Sequence, residues 1–165
     1  MKAVLTGTVL AFGLTLTGCA TRTGGTQEAG GIAVTRTHLG QAIARGQIAV
    51  EPFDVADANG PEFASYATAV SEQLTRLGWT VTPARGSEQV ALIDVSEQSA
   101  GAGVATMLDV RIRRRSEGSL IWQGKATGEP RSGSSSAGRV ADVRRLAEAV
   151  FRDFPGESGR TIRTR

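Results

Sequence analysis

The chain has 165 residues, 40% of them hydrophobic and 21% charged, with a formal net charge of +3. That is the make-up of one ordinary globular domain, and it excludes a disordered or collagen-like chain. One cysteine, one histidine and eight aromatic residues (five Phe, two Trp, one Tyr) leave no raw material for a haem site, a zinc cluster or a disulfide framework.

Met1-Lys2 supplies a short positive start, and residues 3–16 form an uncharged, mostly apolar run with the layout of a secretory signal. The run is too short to span a bilayer, which takes about 20 apolar residues. It closes on Leu16-Thr17-Gly18-Cys19, the pattern read by the bacterial lipoprotein signal peptidase: leucine at −3, small residues at −2 and −1, then cysteine. The chemistry explains the letters, because the thiol takes a diacylglyceryl group before cleavage and small neighbours let the peptide enter an intramembrane site. The expectation is a signal peptide over residues 1–18 and lipidation at Cys19. Two or three acyl chains there, at about 0.8 kcal/mol per buried methylene, would hold the protein permanently on a membrane. Ala20 stands where an aspartate is the usual inner-membrane retention signal in enteric-type bacteria, which favours the outer membrane.

Residues 19–31 lack apolar periodicity and mix glycine and alanine with polar residues, so they read as a flexible tether. The domain is expected over residues 32–165. Short strands are predicted at residues 32–37, 47–51 and 80–82, and a near-continuous apolar run at residues 90–95 reads as a central strand. After Pro61, Phe63, Tyr66, Ala67, Val70, Leu74 and Leu77 recur at helical spacing, and Gly78 supplies the stop. Leu108, Val110 and Ile112 alternate with Asp109, Arg111 and Arg113, so residues 107–115 and 119–127 read as a hairpin with one wet face. Residues 96–105 read as a loop between the two regions. A second helix runs from about residue 137, with Val140, Val143, Leu146, Ala147, Val150, Phe151 and Phe154 on one stripe, and a last strand is predicted at residues 161–163. This order predicts an α+β fold, a two-layer sandwich of a mixed, mainly antiparallel sheet with two helices packed on one face.

Several pieces of this pattern are shared with a known group: the lipobox cysteine, the helix end Leu74-Thr75-Arg76-Leu77-Gly78-Trp79, Asp94-Val95, Leu120-Ile121-Trp122-Gln123-Gly124-Lys125-Ala126, and the closing Ala149-Val150-Phe151-Arg152-Asp153-Phe154-Pro155. Over residues 32–165 the chain resembles bacterial lipoproteins that carry the domain of unknown function 4136. The resemblance implies an envelope lipoprotein without a known cofactor or catalytic residues. Relatives tend to carry longer glycine-rich insertions where this chain has residues 96–105.

Catalytic chemistry finds little support. His38 has no second histidine or cysteine at ligand spacing and reads as a strand-end polar residue. The run Ser132-Gly133-Ser134-Ser135-Ser136 lacks a strand-to-helix nucleophile elbow and reads as a flexible loop. Neither Gly101-Ala102-Gly103 nor the segment 156–161 has the spacing of a phosphate loop. Glu51, Asp54 and Asp57 sit in a turn-rich connection, where a helix cap accounts for acids. No cofactor, metal or catalytic residue is expected.

Charge is the one feature above background. Residues 19–100 carry a net −4, whereas residues 101–165 carry +6. Arg111, Arg113, Arg114 and Arg115, with Arg131, Arg139, Arg144 and Arg145, could form an anion-facing surface. By strand parity Arg111 and Arg113 point away from the helices, joined on the partner arm by Ile121, Gln123 and Lys125, while Leu120 and Trp122 face inward. Planar guanidinium donors suit phosphate or carboxylate, so a partner of this face would be anionic lipid, lipopolysaccharide phosphate or an acidic envelope protein and not nucleic acid; the alternative is a solvated sheet face whose arginines keep the open sheet soluble. The sequence thus reads as a lipid-anchored, noncatalytic, periplasm-facing accessory for interaction or assembly. The rival readings are a transport-system auxiliary lipoprotein and a serine hydrolase.

Overall fold

The structure is a computed structural model that describes residues 31–83, 86–133 and 135–164; the expected signal peptide, Cys19 and the tether up to residue 30 lie outside them. Seven strands form: β1 (Ile32–His38), β2 (Gln47–Pro52), β3 (Thr80–Val81), β4 (Gln89–Ala100), β5 (Gly103–Arg114), β6 (Leu120–Thr127) and β7 (Thr161–Thr164). Two helices, α1 (Phe63–Arg76) and α2 (Ser136–Phe151), pack on the sheet. The strands join in one sheet of order β3-β2-β4-β5-β6-β1-β7, in which β2 runs parallel to β3 and β4 and every other pair is antiparallel. The expected α+β architecture is the observed one.

The helical stripe buries Tyr66, Val70 and Leu74 from α1 and Val143, Leu146 and Val150 from α2 against Val34, Ile48, Ile93, Leu108, Val110 and Ile112 of the sheet. A Schellman motif ends α1: Gly78 takes φ +95°, its N–H reaches the Thr75 carbonyl, and the Trp79 N–H reaches that of Leu74. Pro61 stands one residue before the N-cap Glu62 rather than inside the first turn. Trp122 is fully buried and stacks on Phe151 at 5.3 Å between ring centroids, with its Nε1–H donated to the Pro155 carbonyl at 3.0 Å. Gly124 leaves the room this needs, since a Cβ there would lie 2.3 Å from the Trp122 ring and 2.5 Å from Val150 Cγ2.

Three sequence expectations are corrected. Residues 96–105 are not a loop: β4 and β5 pair without interruption from Gln89↔Arg114 to Ala100↔Gly103, turning at Gly101 with φ +61°. The serine and glutamine stretch of β4 has no apolar signal of its own, and the ladder to β5 holds it extended. Leu120 is exposed rather than inward, because a bulge at Ile112/Arg113 breaks the alternation and sets Arg113 opposite Leu120. Finally, α2 stops at Phe151 rather than at Phe154. Its last carbonyls are taken by Arg36, a buried arginine on the helix-facing side of β1 that donates to Val150 O (2.9 Å), Ala149 O (3.0 Å) and Arg152 O (2.7 Å).

Leu74→Ala should cost about 2–5 kcal/mol of stability, as buried leucine truncations do, while Thr75→Ala on the exposed side of the same helix leaves it nearly unchanged. Equal shifts in urea midpoint for the two variants would contradict this packing. Arg36→Ala leaves three helix-terminal carbonyls without their donor and should cost about 3 kcal/mol or more, measured by the same denaturation.

Candidate functional site

The face of the sheet opposite the helices carries the residues singled out from strand parity. Their positions follow from the register Asp109↔Lys125 and Arg111↔Gln123 across β5 and β6. Asp109 is the centre of the group. Its side chain is only 5% exposed and receives Arg111 Nη2 at 2.8 Å, Lys125 Nζ at 3.4 Å and Gln123 Nε2 at 2.9 and 3.0 Å. The Arg111 guanidinium also lies over the Phe53 ring, 4.1 Å from its centroid, which adds a cation–π attraction. Arg111 and Lys125 are therefore already paired with a carboxylate of the same face. Arg113 carries a buried Nε without a hydrogen-bond partner among the described residues.

The other arginines are mostly paired as well. Arg114 meets Glu117 and Glu88, Arg115 meets Glu51 at 2.7 Å, and Arg131 and Arg145 share Asp142. Arg114–Glu117 and Arg145–Asp142 are three residues apart, but Arg114–Glu88, Arg115–Glu51 and Arg131–Asp142 join distant segments, so for these the sequence shows the charges but not the partners. Glu51 is thus an ion-pair acceptor, and Asp54 accepts from Ala56 N–H at 2.9 Å as the cap of a short 3-10 helix. His38 bonds through Nε2 to the Gly156 carbonyl at 2.9 Å and through Nδ1 to Gly40 N–H, which is the expected role of a strand-end polar residue.

A second cluster joins the two helix N-termini. Glu62, the N-cap residue of α1, accepts from Arg139 Nη1 at 2.7 Å and from the Tyr66 hydroxyl, and Arg139 Nε reaches Glu97 of β4 at 3.0 Å. Hydrogen bonds from Ser136, Tyr66 and Arg139 hold the Glu62 carboxyl down at about 2. Burial and the adjoining Glu62 push the Tyr66 phenol up to about 12, and Glu62 and Glu97 raise Arg139 further. Ser135 caps α2 by accepting from Gly138 N–H at 3.1 Å. Ser135 and Ser136, at the end of the serine run, are thus a helix start rather than loop, and Ser136 is spent on Glu62. A cavity of about 570 Å³ adjoins this cluster, walled by Pro52, Phe63, Ile93 and Val95. On its wall Glu62, Tyr66, Glu97 and Arg139 bind one another, an arrangement that locks the helices together.

No family model matches the chain. Among curated proteins, an uncharacterized protein of Zymomonas mobilis is 41% identical over 58 residues, which are 35% of this chain and 22% of that protein; the match spans about a fifth of the relative's length. Among solved structures, a PDZ domain protein from Parabacteroides distasonis is similar with a TM-score of 0.54 at 10% identity, covering 79% of this chain and 37% of its own. PelC from Paraburkholderia phytofirmans, solved as a dodecamer, gives 0.51 at 18% identity, covering 72% and 94%. A lipoprotein of Neisseria meningitidis gives 0.39 at 16% identity, covering 68% and 100%, a score too low to carry an argument. The first two likenesses concern the fold alone.

Glu62 yields a pH-dependent prediction. Its folded pKa, about 2, lies below the ordinary 4.5, so the unfolded chain binds the proton more readily as pH falls. The stability that ionised Glu62 contributes is complete above 4.5 and is lost as pH drops through about 2. Urea titrations from pH 7 down to pH 2 should show Glu62→Gln less stable than the wild type at neutral pH, with the difference closing in acid. A difference independent of pH would mean that the carboxylate charge contributes nothing.

Proposed function

We propose that this protein is a lipid-anchored lipoprotein of the bacterial cell envelope whose domain is a noncatalytic module for interaction or assembly. The observation that carries the reading is the run Leu16-Thr17-Gly18-Cys19 closing an apolar start, with the chain's one cysteine at the acceptor position. In this reading residues 1–18 are removed, Cys19 is acylated, residues 19–31 are the tether, and the domain begins with β1. The resemblance to lipoproteins with the domain of unknown function 4136 supports it, and Ala20 favours the periplasmic side of the outer membrane.

The geometry supports the noncatalytic part. The hydroxyl, carboxyl and phenol groups gathered at Ser135, Ser136, Glu62 and Tyr66 are engaged in capping helices and joining them. The open sheet face with Arg111, Arg113 and Lys125 belongs to the partner-facing surface in this reading. A carboxylate or phosphate arriving there has to compete with Asp109 for Arg111 and Lys125, which sets a threshold against weak anions.

Metabolic labelling with a fatty acid tests the anchoring. The wild type should take up label and fractionate with membranes, while Cys19→Ala should remain an unlabelled precursor. Equal labelling of the two would overturn the proposal.

A further inference from the structure

The hairpin of β4 and β5 outruns its neighbours at the turn end. β2 leaves β4 after Pro52↔Ile93 and β6 leaves β5 after Thr127↔Met107, whereas β4 and β5 go on pairing to Ala100↔Gly103. The β5 side of this extension is covered: Gly128 N–H donates to the Thr106 carbonyl, and Val104 and Arg131 exchange N–H to carbonyl bonds, each at 2.9 Å. Those bonds also fix where the backbone groups of β4 point. Val104 spends its N–H and carbonyl on Arg131, so Ser99 opposite it forms a non-hydrogen-bonded pair, and the N–H and carbonyl of Ser99 point away from β5. The same alternation runs back through Glu97, opposite Thr106, and Val95 to Ile93, whose carbonyl accepts from Phe53 N–H at 2.8 Å on the β2 side. Among the described residues nothing bonds to the N–H or carbonyl of Val95 or Ser99. In line with β2, β4 therefore offers an empty strand position.

The chain does not fill that position itself. After Phe53 it turns into the short 3-10 helix Val55–Asn59, whose backbone bonds close within it, Asp57 N–H on Asp54 and Gly60 N–H on Asp57. Phe53 and Val55 are left with exposed apolar side chains on this connection. On the helix side of the same stretch of β4 lies the cavity of about 570 Å³, with Phe63, Ile93 and Val95 as its apolar wall. Asp57, Glu62 and Glu97 face the single guanidinium of Arg139 around it, so the cavity refuses an acidic side chain and accepts an apolar one. An open strand edge and a side-chain cavity thus adjoin one another.

From this geometry we infer that the extension of β4 binds an extended segment of a partner protein, which joins the sheet as an added strand beyond Pro52 and seats one large apolar side chain in the cavity. The edge selects the occupant. N–H and carbonyl groups repeating at strand spacing are matched by another extended backbone, and the period of two sends alternate side chains of that backbone to the helix side, where the cavity is. The β4 strand of a second copy does not fill it, because its own helix-side residues there are Val95, packed against the core, and Glu97, held by Arg139. The inference rests on the interaction reading above and names the partner's chemistry and the surface that receives it.

The test uses the chain from residue 19 onward, which contains every core residue, with Cys19→Ser so that no acyl chain drives association. Phage displaying short random peptides are selected on it, and the most enriched sequence is synthesised as the probe. That sequence should carry a large apolar residue whose replacement by aspartate abolishes binding. The bound peptide should slow amide hydrogen exchange at Val95 and Ser99 and leave the edge strand Thr161–Thr164 unchanged. Ser99 is exposed, and Ser99→Pro removes an outward N–H without removing a bond of the β4 to β5 ladder. Its melting curve should stay near that of the parent chain while affinity for the peptide falls by about tenfold. No enriched peptide, protection at a different strand, or equal affinity of the folded Ser99→Pro variant would each overturn the inference. Protection of Val95 and Ser99 that grows with the concentration of the chain alone would make a second copy the occupant and overturn it as well. If Ser99→Pro fails to fold, the exchange map of the parent chain decides. None of these results touches the fatty-acid labelling of Cys19, so failure here is distinguishable from failure of the anchoring proposal.

Discussion

A single buried cation ties the two layers of this domain together. Arg36 stands on the helix-facing side of β1 where alternation calls for an apolar residue, and it spends its guanidinium on the carbonyls of Ala149, Val150 and Arg152. Burial lowers its pKa, with Asp153 partly offsetting the shift. Such a charge is tolerable only because the C-terminus of a helix offers unpaired carbonyls and the negative end of its dipole. The chain beyond α2 is shaped around the same group. Gly156, at φ +74°, has no side chain because a Cβ would stand 2.5 Å from Arg36 Cδ, and Gly159 N–H returns to the Arg36 carbonyl. One residue thus stops α2, fixes its height over the sheet and guides the chain into β7.

The two helices lie side by side and point the same way. Glu62 at the start of α1 meets Ser136 and Arg139 at the start of α2, and Trp79 after α1 packs edge-on against Phe154 after α2 at 5.3 Å. Parallel neighbours bring two positive dipole ends together, and Arg139 adds a third positive charge. Glu62 and Glu97 answer it, which explains why one carboxylate comes from the N-cap of α1 and the other from the long hairpin strand β4. Arg36 performs the complementary task at the opposite end of α2. Electrostatic closure of both helix ends, more than their intrinsic propensity, sets where α2 begins and stops.

Much of this fold was legible in the sequence, because period-3.6 and period-2 patterns report which face each element buries. Both helices, the hairpin of β5 and β6 and the short outer strands follow from such patterns. What stayed hidden depends on pairing between distant residues. The placement of β1 between β6 and β7 has no local signal, nor does the continuation of β4 through its serine and glutamine residues. The candidate site divides in the same way. Parity put Arg111 and Lys125 on the open face, yet the role of Asp109 needs the register as well as the face. Once the hairpin register is known, Asp109 lies directly opposite Lys125, so this pair was within reach of a closer reading of the turn. Arg139 with Glu62 was not, since 77 residues separate them.

Ion pairing sets how much charge this domain offers to another surface. On the face, Asp109 gathers Arg111, Lys125 and Gln123 within hydrogen-bonding or ion-pair distance, so one carboxylate offsets part of the charge of two cations at short range. Paired charges keep an uncovered sheet wet without offering a strong field to a partner. Pairing at short range also joins the two halves of the chain, since Glu51, Glu62, Glu88 and Glu97 meet Arg115, Arg139 and Arg114, and Arg131 and Arg145 share Asp142. The opposite charge excesses of the two halves of the chain therefore meet within the fold, where Arg139 ties α2 to Glu62 of α1 and Glu97 of β4, and Arg115 reaches Glu51 of β2.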